Sequence, residues 1–138
     1  MILRKYNYRL ETGTVGTDDD NIASILYNIN RMEMNVDFET DDDEELEETL
    51  GQLFFMVVDT KVHLDNFLEI FGEKINADTA AAVIAVLDGA IEDIRAAREM
   101  NDKEKCLAVF PKVYKKLLDT VPSVLALDAQ AVGRASGC

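Results

Sequence analysis

The clearest pattern in this chain is a row of apolar residues spaced alternately four and three positions apart. Its members, with one polar residue among them, are Leu46, Leu50, Leu53, Val57, Thr60, Leu64, Phe67 and Phe71. Side chains at this heptad spacing share one face of an α-helix. The row predicts a long central helix over about residues 43–71. A buried strand is the alternative, because phenylalanine and valine favour sheets, but the row keeps its register over the whole segment.

The middle of this predicted helix is apolar on every side. Residues 53–58 are six consecutive apolar residues, and six residues cover the full circumference of a helix. Such a segment needs cover from other helices or from a second subunit. We therefore predict self-association through the heptad row and through an oligomer interface formed by Phe54, Phe55, Met56 and Val58.

Two segments near the N-terminus alternate with a period of two residues, which is typical of strands. They are residues 1–11, with two tyrosines on one side, and residues 33–40, which include Val36 and Phe38. Between them, an apolar stripe that follows three aspartates predicts a helix over about residues 19–32. We expect a small β element here, and a wholly irregular N-terminal arm is the alternative.

Further helices are predicted after residue 72. Asn76 suits the N-cap of the first, and the spacing of Asn101 and Glu104 fits a capping box at the start of the second. Pro111 lies inside the apolar pattern of that second helix and predicts a kink or break near Val109, because proline has no amide hydrogen to donate. A short last helix is expected to close at Gly133.

These elements predict a mainly α protein, a bundle of four to six helices with a long central helix and a small N-terminal β element. The 138 residues suit one domain with a core that needs no disulfides. Within it we assign residues 1–40 to the β/α element, residues 41–133 to the helical bundle and residues 134–138 to a frayed tail. No apolar run is long enough to span a bilayer, so we expect a cytoplasmic protein.

The negative charge is concentrated in one segment. The net charge is −13, and residues 32–60 carry eleven acids and no base, whereas the rest of the chain is almost balanced. The dipole of a helix stabilises one or two acids at its start, but nine lie close together here. We predict that these nine form a partner-binding surface: Asp37, Glu39, Asp41, Asp42, Asp43, Glu44, Glu45, Glu47 and Glu48.

The acidic surface restricts the class of partner. It repels phosphate, so we expect no direct binding to nucleic acid or to a membrane. The expected partner is a protein with a basic surface, such as the face formed by Lys112, Lys115 and Lys116 on a second copy. We predict a non-enzymatic interaction or assembly protein. The alternative is an acidic inhibitor that imitates DNA and occupies a restriction or CRISPR nuclease, or another nucleic-acid-binding enzyme.

Candidate residues for catalysis or metal binding are few. His63 is the only histidine and has Asp59 one turn before it, but no nucleophile lies near it in the sequence. The acidic segment fills four ligand positions of a calcium-binding EF-hand loop, yet it has Asp42 where that loop requires glycine. Cys106 and Cys138 lack metal-ligand spacing. We predict no enzyme activity, no cofactor and no bound metal.

Overall fold

The protein is mainly helical, as the sequence predicts. The computed structural model describes residues 21–132. In this part of the chain, five α-helices and one short 3-10 helix follow in the order α1 (Asn21–Met32), the 3-10 helix (Glu33–Asn35), α2 (Asp43–Phe71), α3 (Ala77–Met100), α4 (Lys103–Asp119) and α5 (Val121–Val132).

Helix α2 is the central element and packs against α1, α3 and α4. Its bounds are those predicted, and the predicted apolar row is buried from Leu46 to Phe67. The polar member, Thr60, is also buried, and its hydroxyl donates to the carbonyl of Met56 at 2.7 Å. This local bond satisfies the hydroxyl without a partner from another helix. Helices α1, α3 and α4 thus cover the row within one chain, and the predicted self-association stays a prediction.

The second predicted strand is wrong. Residues 33–35 form the 3-10 helix, and the chain then continues as turn and loop to α2. The backbone amide of Val36 donates to the carbonyl of Glu33, and that of Phe38 donates to the carbonyl of Asn35. Both hydrogen bonds span three residues, as in a turn. The apolar residues of this segment pack against the helices from a loop. The ring of Phe38 packs edge-on against that of Phe110, with 5.3 Å between the ring centroids. The first predicted strand, residues 1–11, lies outside the described residues.

The capping prediction is confirmed for α3 and wrong for α4. The Asn76 side chain accepts from the amide of Thr79 at 3.0 Å. Helix α4 has Asp102 as its N-cap. Asn101 instead ends α3 with a φ of 52°, in the left-handed region that asparagine tolerates better than most residues.

Helix α4 runs without interruption through Pro111, so the predicted break near Val109 is absent. Proline removes one backbone hydrogen bond from the helix. Phe110 and Val113, on either side of Pro111, are both fully buried, while Pro111 itself is exposed. Packing of the helix on both sides of the proline keeps it continuous. The predicted tail, residues 134–138, lies outside the described part of the chain.

All five α-helices contribute to one hydrophobic core. Its buried side chains include Ile25 and Leu26 from α1, Leu53 and Leu64 from α2, Leu87 and Ile94 from α3, Phe110 and Leu117 from α4, and Val124 and Leu127 from α5. Along α2, the side opposite this core carries exposed residues from end to end. The fold therefore presents one long side of its central helix to solvent.

Candidate partner-binding surface

The nine predicted acids occupy the loop before α2 and the first two turns of that helix. All nine are exposed. Asp37, Glu39 and Asp41 lie in the loop, Asp42 is the N-cap, and the remaining five lie on the helix itself. The structure thus brings the nine predicted acids together at one end of α2, where they have different structural roles.

Asp42 has a structural task. Its side chain accepts from the amide of Glu44 at 2.9 Å and from that of Glu45 at 3.4 Å. The hydroxyl of Thr40 in turn accepts from the amide of Asp42 at 3.0 Å. The first amides of a helix have no partner within it, so these bonds define where α2 begins.

Removing this cap should weaken the fold. We expect Asp42→Ala to lower the free energy of unfolding by about 0.5–2 kcal/mol, the usual cost of losing an aspartate N-cap. Glu48→Ala, which removes an exposed carboxylate one turn further on, should change it by less than about 0.5 kcal/mol. Urea unfolding followed by circular dichroism measures both. Equal effects of the two substitutions would contradict the assignment of Asp42 as the cap.

Two further acids bind bases of the α3–α4 corner. Glu47 forms a salt bridge with Arg98 near the end of α3. Asp41 lies 3.7 Å from the ammonium of Lys103 at the start of α4. These pairs are exposed, so each adds little to stability. They nevertheless reduce the number of carboxylates that remain available to a partner.

Of the nine acids, six neither cap α2 nor form an ion pair within residues 21–132: Asp37, Glu39, Asp43, Glu44, Glu45 and Glu48. Glu44 and Glu48 are one turn apart, so they project from the same side of α2. The sequence indicated where the charge is. It could not show that two of the nine acids form ion pairs and that a third caps the helix.

The exposed side of α2 continues from these acids into apolar residues. Phe55 follows Glu48 by two turns and is 65% exposed, and Val62 is exposed two turns further on. An aromatic side chain as exposed as that of Phe55 does not contribute to the hydrophobic core. Phe55 and Val62 therefore make the middle of this side of α2 apolar.

The structure separates the four residues of the predicted oligomer interface. Phe55 is exposed and Val58 is partly buried. Phe54 is also partly buried, and the guanidinium of Arg95 lies over its ring at 5.8 Å. Met56 is only 4% exposed and belongs to the core. Met56 points inward and cannot contact a second subunit, so its place in the predicted interface is corrected. Phe55 and Val58 remain accessible.

Helix α1 adds residues that the sequence did not single out. A groove of about 370 Å³ lies between α1 and α2, and Tyr27, Arg31 and Phe55 line it. Tyr27 is 54% exposed, and the guanidinium of Arg31 lies 5.6 Å from the centre of its ring. Arg31 makes no ion pair within the described residues. The available signal was that Tyr27 lies off the apolar stripe of α1, which marks an aromatic residue not needed by the core.

The same groove contains His63 and Asp59. His63 lies 3.4 Å from the carboxylate of Asp59 through Nε2 and 2.9 Å from the side-chain oxygen of Asn21 through Nδ1. The carboxylate of Asp59 also accepts from the side-chain amide of Asn28 at 2.9 Å. Asn28 is buried. Both ring nitrogens of His63 thus contact side chains of the fold. The arrangement joins α1 to α2 and leaves neither nitrogen directed at an open substrate site.

Two other kinds of feature are absent from residues 21–132. No group of three or more histidine, cysteine, aspartate or glutamate side chains is arranged to hold a metal ion. No helix in this part of the chain combines the length and the hydropathy needed to cross a membrane.

Within the described structure, the best-defined surface is therefore the exposed side of α2, with the α1–α2 groove beside it. Six acids that neither cap α2 nor form an ion pair lie at one end, and exposed aromatic residues lie in the middle. Comparison with protein families, with curated proteins and with solved structures finds no match to this chain.

Proposed function

We propose that this protein acts by binding another protein through the exposed side of α2. The partner has a basic surface with an apolar depression, which receives the acids and Phe55 together. The observation that carries the proposal is the position of Phe55. It is 65% exposed and lies on the same side of α2 as Glu44 and Glu48, across a groove from Tyr27 and Arg31.

The composition of this surface supports a protein partner. Tyrosine, phenylalanine and arginine are enriched at the centres of protein interfaces, where a few such residues carry most of the binding energy. Charged groups at the rim mainly set the rate of association and the choice of partner. Here Tyr27, Phe55 and Arg31 would form the centre, and Glu44 and Glu48 would form the acidic rim.

The alternative predicted from the sequence is a DNA-imitating inhibitor of a nucleic-acid-binding enzyme. The unpaired carboxylates at the start of α2 support it, because they would occupy a groove that normally binds phosphates. Exposed Phe55 and Tyr27 favour the more general proposal, since a phosphate backbone offers no counterpart to aromatic rings. Under the alternative, duplex DNA would compete with this protein for the partner.

The proposal is tested by affinity capture from the native source with matched variants. One variant, Glu44→Gln/Glu48→Gln, neutralises two rim acids, and a second, Phe55→Ser, removes the central aromatic. The control, Glu73→Gln/Glu99→Gln, makes the same change of charge at exposed positions away from this surface. We expect the wild type and the control to retain a partner that both surface variants lose.

The captured protein is then purified and titrated calorimetrically against each variant. We expect Phe55→Ser to weaken binding by at least about tenfold, as for a residue at an interface centre. Binding by the wild type should weaken as salt is raised, because exposed charges are screened. A complex that both surface variants bind as tightly as the wild type would refute the proposal. Displacement by duplex DNA would favour the inhibitor over a general interaction protein.

A further inference from the structure

A second exposed surface lies between α3 and α4. It is a groove of about 260 Å³ with an apolar floor formed by Ala96, Ala97, Ala108 and Val109. Met100 lies at its edge and is 58% exposed. The alanines keep the floor shallow and open, so a bulky side chain from outside could enter between the two helices.

The rim of this groove is basic. Lys105 and Lys112 line it, and α4 as a whole carries five lysines against two acids. Asp93 is shared by Lys112, at 3.6 Å, and Lys116, at 2.5 Å, while Lys115 makes no ion pair within the described residues. One carboxylate among these lysines leaves the rim with a positive charge in a chain whose net charge is −13.

The basic rim of this groove and the acids of α2 have opposite charges. We propose that the α3–α4 groove of one molecule receives the exposed side of α2 from a second copy of this chain. Phe55 would enter above the alanine floor, and Glu44 and Glu48 would face the lysines of α4. Within one molecule, no ion pair joins these acids to Lys105, Lys112, Lys115 or Lys116. The two surfaces are therefore complementary and not paired with each other.

The spacings of the two surfaces agree. Eleven residues separate Glu44 from Phe55, and eleven separate Lys105 from Lys116. At about 1.5 Å per residue, each span is roughly 16 Å. With α2 antiparallel to α4 and Phe55 level with Lys105, one turn from Ala108, Glu48 lies about 10 Å further along, level with Lys112, and Glu44 lies level with Lys116.

This inference rests on the proposed function, because it names a second copy as the partner of the same α2 surface. The contact joins two different surfaces, so it is heterologous, and an open complex keeps one free surface at each end. Such contacts produce open chains or closed rings instead of a simple symmetric dimer.

The test uses two variants that each remove one surface. The α2 variant is Glu48→Lys/Phe55→Ser, and the groove variant is Ala108→Glu/Lys112→Glu. All four positions are exposed, so both variants should fold, and circular dichroism is used to check this. The mass of each protein, and of their equimolar mixture, is measured by sedimentation at increasing concentration and at low and high salt.

We expect the wild type to grow beyond a dimer as concentration rises and to dissociate at high salt. Each variant alone should remain monomeric. The equimolar mixture should form a complex of two chains and no larger, because the intact groove of the α2 variant accepts the intact α2 of the groove variant.

The other outcomes overturn the inference in distinguishable ways. If the wild type stays monomeric at millimolar concentration, the second copy is not the partner, while capture of a different protein can still support the proposed function. If only the α2 variant loses association, two α2 surfaces pair with each other and the groove is not used. Association that persists in both variants refutes this inference and also removes the α2 surface as its cause.

Discussion

Replacing Phe110 with alanine is expected to lower the free energy of unfolding by about 3–5 kcal/mol, the usual cost of removing a large aromatic side chain from a core. Phe110 is 1% exposed, and its ring packs against Phe38 from the loop before α2. Since domains of this size are stable by roughly 5–15 kcal/mol, this one change removes much of the total. Urea unfolding followed by circular dichroism measures the loss.

Phe55→Ala is the matched control, because it makes the same chemical change on the exposed side of α2. We expect it to alter the free energy of unfolding by less than about 0.5 kcal/mol. If Phe110→Ala does not fold, Phe110→Leu should still unfold cooperatively with a smaller loss, since leucine fills much of the same volume. Equal losses for Phe110→Ala and Phe55→Ala would contradict the assignment of Phe55 to the surface.

Cys106 is expected to resist modification in the folded protein. The residue is 5% exposed, and its sulfur lies 3.3 Å from the carbonyl oxygen of Ala97. Burial raises the pKa of the Cys106 thiol, and the nearby carboxylates of Glu47 and Asp102 raise it further. Because the thiolate is the reactive form and access requires local opening, we expect reaction with a disulfide reagent at pH 8 to be at least about 100-fold slower than in the urea-unfolded chain.

The measurement uses Cys138→Ser, so that Cys106 is the only thiol. The control moves the thiol by two residues to an exposed position of the same helix, as Cys106→Ser/Ala108→Cys/Cys138→Ser. That thiol should react at a rate close to the rate in urea. Fast reaction of Cys106 under folding conditions would show that the α3–α4 corner is open much of the time.

The raised pKa of Cys106 also sets the direction of a pH effect. Above the unfolded-state pKa of about 8.5, the unfolded chain has lost the thiol proton while the folded chain retains it. The folded state then binds more protons, so the contribution of this thiol to stability falls as pH rises from the unfolded-state pKa toward the folded-state pKa, and it is constant well below the unfolded-state pKa. Burial raises the pKa of Tyr114 as well, which extends the fall to higher pH. Cys106→Ala should reduce the first part of this slope.

The central helix was predictable because its signal is local and repeated. Seven consecutive steps of four and three residues allow few other structures, and the predicted and observed bounds of α2 agree. Thr60 interrupts the row without breaking it, because a threonine hydroxyl can bond to a carbonyl one turn earlier. The alternation of apolar and polar residues over residues 33–40 was a weaker signal than the row of α2, because it covers only eight residues. Val36 and Phe38 alternate because they pack against the helices from a loop.

The candidate surface was only partly predictable. The sequence shows where the acids are, but Arg98 and Lys103, which pair with two of them, lie more than fifty residues away. The sequence also could not show that Met56 turns inward while Phe55 turns outward, since both belong to an unbroken apolar run. Which side of α2 stays exposed depends on where α1 and α3 pack, and this is a property of the whole fold.

The salt bridge between Glu47 and Arg98 has a consequence for motion. Leu46 and Leu50 of α2 and Cys106 of α4 are buried members of the core, and they line one pocket together with Glu47 and Arg98. The first turns of α2 and the α3–α4 corner therefore meet at this pocket. Neither segment can unfold locally without exposing side chains of the other, which couples their opening. A partner protein bound to the start of α2 would therefore also reduce local opening of the α3–α4 corner, which it does not contact.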